Sequence, residues 1–83
     1  MKIRLRYFAQ LREALGTADE AIETQATDVA GLREQIMARG GAYAEALAPG
    51  RAVRCALNQQ LCHWDTPLVP ESEVAFFPPV TGG

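Results

Sequence analysis

The sequence of 83 residues is short of the groups that most chemistry needs: it has one histidine, His63, one lysine, Lys2, and two cysteines, Cys55 and Cys62. Cys55, Cys62 and His63 lack the paired spacing and the fourth ligand of a structural zinc site, so no metal is expected. Two cysteines do not make the disulfide framework of a small secreted domain, and in a reducing compartment both are free thiols. No stretch approaches the ~20 apolar residues of a membrane span. The opening MKIRLRYF alternates charged and apolar residues and has no run of signal-peptide length, so a cytoplasmic protein is expected. Basic residues are scarce as well: 8 Lys+Arg stand against 10 Asp+Glu, for a net charge of −2. Without a clustered basic footprint, neither nucleic acid nor membrane is expected as a partner. There is no glycine-rich phosphate loop, so nothing here activates a substrate with a nucleotide.

What remains is an ordinary globular composition, 48% hydrophobic and 22% charged. A chain of this length makes one domain with a modest core and no room for a deep substrate cleft. Ile3, Leu5 and Tyr7 alternate with Arg4, Arg6 and Phe8, the period of a half-buried strand. The period then changes: Leu11, Ala14 and Leu15 share a helical face over 9–15, and Gly16 stands where a left-handed cap favours glycine. A weaker strand is expected over 20–25, anchored by Ile22. Thr27 is expected to cap the next helix, with Asp28 in its first turn. Val29, Leu32 and Ile36 line the buried face of that helix, while Arg33, Glu34 and Arg39 read as its solvated face. Gly40-Gly41 ends it, and a short helical turn over 42–47 is closed by Pro49-Gly50. Strands over 52–57 and 60–64 form a hairpin at Asn58-Gln59, and turns at Pro67 and Pro70 lead to a last strand over 73–77. Runs of strands with one principal helix make an α+β domain, helices covering one sheet face.

After Phe77 come Pro78-Pro79-Val80-Thr81-Gly82-Gly83. Two terminal glycines arise by chance in roughly 0.5% of chains at average usage, and a merely tolerated end has no reason to begin with a stiff proline pair. Prolines hold a segment extended and offer no amide for pairing with a sheet edge. Six extended residues reach about 20 Å, and glycines leave the terminal carboxylate free of side chains for a narrow channel. A carboxylate becomes electrophilic once adenylated with ATP, and an unhindered glycine carbonyl is the easiest to attack next. From Asp65 to Gly83 the chain carries Asp65, Glu71 and Glu73 and no Lys or Arg, so a basic partner channel is expected.

The ending Glu73-Val74-Ala75-Phe76-Phe77-Pro78-Pro79-Val80-Thr81-Gly82-Gly83, with Phe8-Ala9-Gln10, Arg12-Glu13, Gly16 and the Asn58-Gln59 hairpin, resembles the family of molybdopterin synthase small subunits. The resemblance implies a β-grasp (ubiquitin-like) fold: a mixed five-stranded sheet with helices on one face, a domain over 1–77 and a flexible C-terminal tail over 78–83. It also implies a sulfur carrier, a non-catalytic sulfur-donating subunit with no bound cofactor. An adenylating enzyme uses ATP to activate Gly83, a separate sulfur donor serves the conversion to a thiocarboxylate, and Thr81 and Gly82 enter the large subunit with the tip. There, in a heterotetramer, sulfur passes to cyclic pyranopterin monophosphate, and two transfers build the dithiolene. Rival readings are a sulfur carrier for thiamine thiazole or tRNA thiolation, and a ubiquitin-like interaction module without transfer chemistry.

Strand parity points to a second feature. Phe8, Leu61 and Phe77 fall on the face opposite the core, Leu61 together with Arg54, Ala56 and His63, while Val53, Cys55, Leu57, Cys62 and Trp64 share the inner face. The three large apolar residues are expected to form a partner-binding patch. Ordering about six tail residues costs on the order of 6–12 kcal/mol, and burying three such side chains contributes roughly 5–9 kcal/mol. Tail insertion therefore needs the patch. Cys55 faces Cys62 across the hairpin, and a disulfide between them is expected only under oxidation.

Overall fold

The computed structural model describes residues 1–79. Its elements are β1 (Lys2–Tyr7), α1 (Ala9–Leu15), β2 (Asp19–Glu23), α2 (Val29–Met37), α3 (Gly41–Ala46), β3 (Arg54–Leu57), β4 (Gln60–Cys62) and β5 (Glu73–Phe77). The strands form one five-stranded sheet in the order β2-β1-β5-β3-β4. Its central pair, β1 and β5, is parallel and the other pairs are antiparallel, so the sheet is mixed and has the β-grasp arrangement.

Alternation in β1 places Ile3, Leu5 and Tyr7 at 1% exposure or less, and Val74 and Phe76 of β5 are fully buried beside them. Val29, Leu32 and Ile36 of α2 close over this face, with Leu11 of α1 and Leu47 just after α3. Truncating a residue as enclosed as Phe76 to alanine costs about 3–5 kcal/mol, a large part of a small domain's stability.

Most local expectations hold. Gly16 ends α1 at φ 73° and donates its N–H to Arg12 O. Asn58 and Gln59 both have positive φ, 49° and 70°, and form the two-residue turn that pairs Leu57 with Gln60. The cap of α2 lies one residue later than expected. Asp28, not Thr27, is the N-cap, and its carboxylate accepts from Gly31 N–H at 2.8 Å. A Cβ on Gly31 would stand 3.2 Å from that oxygen and 3.3 Å from Ala26 Cβ, which accounts for a glycine inside the helix. The second strand covers 19–23 rather than 20–25. The hairpin strands are shorter than expected, and for β4 the reason is that α2 takes its continuation: Ala30 N–H donates to Trp64 O at 2.7 Å and Val29 N–H to Thr66 O at 3.1 Å. Orphan donors of the first helical turn are satisfied in this way, and the chain leaves the sheet after Cys62.

Candidate functional site

The face of the sheet turned away from the helices is read directly from the register. Across its middle run Leu61, Ala56, Ala75 and Arg6, each opposite the next on neighbouring strands. Ala56 and Ala75 are only 8% and 6% exposed, small side chains among larger neighbours, whereas Leu61 is 77% exposed. At the end where β5 gives way to the tail, Phe77 is half-buried and pairs with Arg54. Phe8 continues β1 at the same end, 37% exposed, its N–H bonded to Phe76 O at 3.2 Å. The Arg6 guanidinium lies 5.0 Å from the centre of the Phe8 ring, and its Nη1 is 3.9 Å from the Glu73 carboxylate. Phe8, Leu61 and Phe77 thus share one face as parity requires, with the two phenylalanines at one end and Leu61 set apart across a floor of alanines. His63 is exposed, away from the core.

Just beyond Phe77, Pro78 and Pro79 are half-buried and do not stand clear of the domain. They line a cavity of about 690 Å³ with Leu11 and Ala14 of α1, Ala46 of α3 and Val53. The root of the tail thus borders a cavity shared with the helices, while the outer face begins one residue earlier. Thr81, Gly82 and Gly83, the residues expected to enter a partner and to react, lie outside the described residues.

Behind the outer face runs a column that sequence reasoning missed. Phe76 stacks between Tyr7, at 6.3 Å, and Trp64, at 6.1 Å. Arg33 lies over Trp64 at 4.2 Å, donating from Nε to Leu47 O at 2.7 Å and from Nη2 to Ala48 O at 2.9 Å. At the other end, Tyr7 Oη donates to Glu20, which Arg39 grips through two hydrogen bonds of 2.9 and 2.8 Å. Burial, then the neighbouring Glu20 carboxylate, push the Tyr7 hydroxyl well above its ordinary pKa. Hydrogen bonds from Arg39 hold Glu20 below the carboxylate range against the opposing effect of burial, with Tyr7 assisting. Glu34 is exposed as expected; Arg33 is half-buried, and Arg39, though exposed, is paired with Glu20, so the two arginines are not simply free in water. Their partners lie 14 to 19 residues away in sequence, beyond the reach of any local pattern.

Among the described residues no group of three His, Cys, Asp or Glu is gathered as a metal site would need. No described helix is long and apolar enough to cross a membrane. The candidate site therefore consists of an outer sheet face with exposed apolar residues, the half-buried start of the tail, and a column packed behind the last strand.

A family model described as the ThiS family matches residues 5–83. The chain is 42% identical over 81 residues to the molybdopterin synthase sulfur carrier subunit of Escherichia coli, covering 98% of this chain and 99% of that one. Among solved structures, it resembles the putative molybdopterin converting factor subunit 1 of Pyrococcus furiosus with a TM-score of 0.78 and 30% identity, over 96% of this chain and 99% of that one. It also resembles a chain in the complex of subunits 1 and 2 of the molybdopterin-converting factor of Helicobacter pylori, with a TM-score of 0.69, 26% identity and full coverage of both.

Proposed function

We propose that this chain, which belongs to the ThiS family, is the sulfur carrier subunit of a molybdopterin synthase. The observation that carries this is the reach of the family match through residue 83, which takes in the Phe-Phe-Pro-Pro ending and the terminal Gly-Gly as well as the body of the domain. The name of the Escherichia coli relative favours molybdopterin over the thiamine thiazole and tRNA alternatives.

In this function residues 1–77 recognise partners and residues 78–83 deliver the reacting group. Gly83 is adenylated by an activating enzyme that consumes ATP, and sulfur from a donor then replaces the adenylate to leave a thiocarboxylate. This carrier supplies no catalytic group and binds no cofactor. A thiocarboxylate suits the task because it is anionic, more nucleophilic than a carboxylate, and tethered, so sulfur is not lost as free sulfide. Phe8, Leu61 and Phe77 dock on the large subunit; that the related chain from Helicobacter pylori is found in a complex of subunits 1 and 2 supports a large-subunit partner, without bearing on these residues. Thr81 and Gly82 follow Gly83 into its channel, where cyclic pyranopterin monophosphate takes up the sulfur. Two carriers serve one heterotetramer, and two transfers complete the dithiolene. The cytoplasm, where ATP is available to the activating enzyme, suits this chemistry.

The test is reconstitution. The thiocarboxylated chain, mixed with the large subunit and cyclic pyranopterin monophosphate, yields the dithiolene, and the chain with an ordinary carboxylate yields none. Failure of the thiocarboxylated form to give product contradicts the assignment.

A further inference from the structure

The function described above leaves Cys55 and Cys62 without a role. They are direct partners in the register of β3 and β4, and directly opposed residues in an antiparallel pair have Cα atoms about 4.5–5.5 Å apart. That separation lies within the window of about 4.4–6.8 Å that a disulfide spans. Both side chains turn to the inner face, and their sulfurs are 3.5 Å apart. Cys62 Sγ donates to Cys55 Sγ, and Cys55 Sγ to the Cys62 carbonyl oxygen. We propose that this pair is a thiol–disulfide exchange site for low-molecular-weight disulfides, with Cys62 the attacking thiol and Cys55 the resolving one, and that its oxidation staples the sheet's edge.

The order of attack follows from access. Cys55 is 2% exposed, whereas Cys62 is half-buried on a strand with only one neighbour. Burial first, and then the hydrogen bond from Cys62, push the Cys55 thiol up to about 12, so it stays protonated in neutral solution. It reacts only when a mixed disulfide is delivered beside it. In the first step the Cys62 thiolate attacks one sulfur of R–S–S–R, a Cys62–S–R bond forms, and RS⁻ leaves and takes up a proton. In the second step Cys55 gives its proton to solvent and attacks the Cys62 sulfur. The Cys55–Cys62 bond forms, and a second RS⁻ leaves and is protonated. Two protein thiols are oxidised and one disulfide is reduced to two thiols. The sulfurs close from 3.5 Å to about 2.05 Å, a movement that side-chain rotation and the three-residue edge strand can supply.

Oxidation has a consequence for the opposite face. Leu61 lies between Gln60 and Cys62, and β4 is held to the sheet by β3 alone. A covalent link at Cys62 suppresses the local opening of this edge.

The experiment uses the folded full chain and oxidised glutathione, read by intact mass. The expected end product is lighter than the reduced chain by two hydrogen atoms, with no lasting adduct. Cys55→Ser, or Cys55→Ala if the serine variant does not fold, halts with one glutathionyl group on Cys62. Cys62→Ser does not react over the same time. A wild-type chain that accumulates the glutathione adduct, or a Cys62→Ser chain that reacts as fast as wild type, overturns the site. Amide exchange at Cys62, whose N–H faces β3 in the hydrogen-bonded pair with Cys55, is expected to slow by roughly tenfold or more on oxidation, and unchanged exchange overturns the staple.

Discussion

Phe8 donates its backbone N–H to the carbonyl oxygen of Phe76 at 3.2 Å, and this bond extends the parallel pairing of β1 and β5 to the point where the tail begins. Phe76 turns inward and is fully buried, whereas Phe8 and Phe77 turn outward at the same end of the sheet. One residue of offset thus separates a core position from an outer-face position.

Phe77→Glu is expected to weaken binding to the large subunit by about 2 kcal/mol or more, roughly 30-fold, as for a central aromatic anchor. The fold should barely respond, because Phe77 is only half-buried and the new carboxylate would face Arg54. A binding titration and a thermal melt of the variant separate the two effects. Unchanged affinity, or an unfolded variant, contradicts the outer-face assignment.

Arg33→Ala is expected to destabilise the domain by about 1–3 kcal/mol without touching the outer face. The substitution removes the cover of Trp64 and leaves Leu47 O and Ala48 O short of donors. Lysine at this position should recover less than half of the loss, since an ammonium cannot lie flat on the ring and donate in a fixed fork. Urea unfolding of the two variants measures this.

The acid limb of stability is expected to depend on Glu20. Its carboxylate is held below the usual range, chiefly by Arg39, so its contribution is complete above about pH 4.3, the ordinary glutamate value. That contribution is lost as pH falls through the depressed native pKa. Glu20→Gln should flatten this part of the profile and lower stability near neutrality by about 1 kcal/mol or less, the range for a partly exposed pair. Denaturant melts between pH 2 and 7 test both points.

The parts of the fold that were legible in the sequence are those whose signal is local. The alternation of Ile3, Leu5 and Tyr7, the switch to helical period before Gly16, and the positive-φ turn at Asn58-Gln59 each rest on neighbours within a few residues. Parity then placed Phe8, Leu61 and Phe77 on one face, because strand geometry carries side-chain direction across a sheet. The misreadings came from contacts between distant segments. Arg39 has no local sign of Glu20, nor Arg33 of Trp64 and the carbonyls after α3. The long Arg33 side chain, on an apparently polar helical face, reaches across the domain instead. The shortened hairpin has the same origin, since the donor that takes Trp64 O belongs to Ala30, far upstream. Adjacent Thr27 and Asp28 both suit an N-cap, and the fit of Gly31 beneath the Asp28 carboxylate decided between them.

The central claim is that Gly83 carries the sulfur, and intact mass measurement tests it most directly. The full chain and a chain lacking Gly83 are each incubated with the activating enzyme, ATP and a sulfur donor. The expected result is replacement of one oxygen by one sulfur at the C-terminus of the full chain, with none in the shortened chain, while both give the same thermal melt. A full chain that never gains sulfur, or a shortened chain that gains it equally well, would contradict the account.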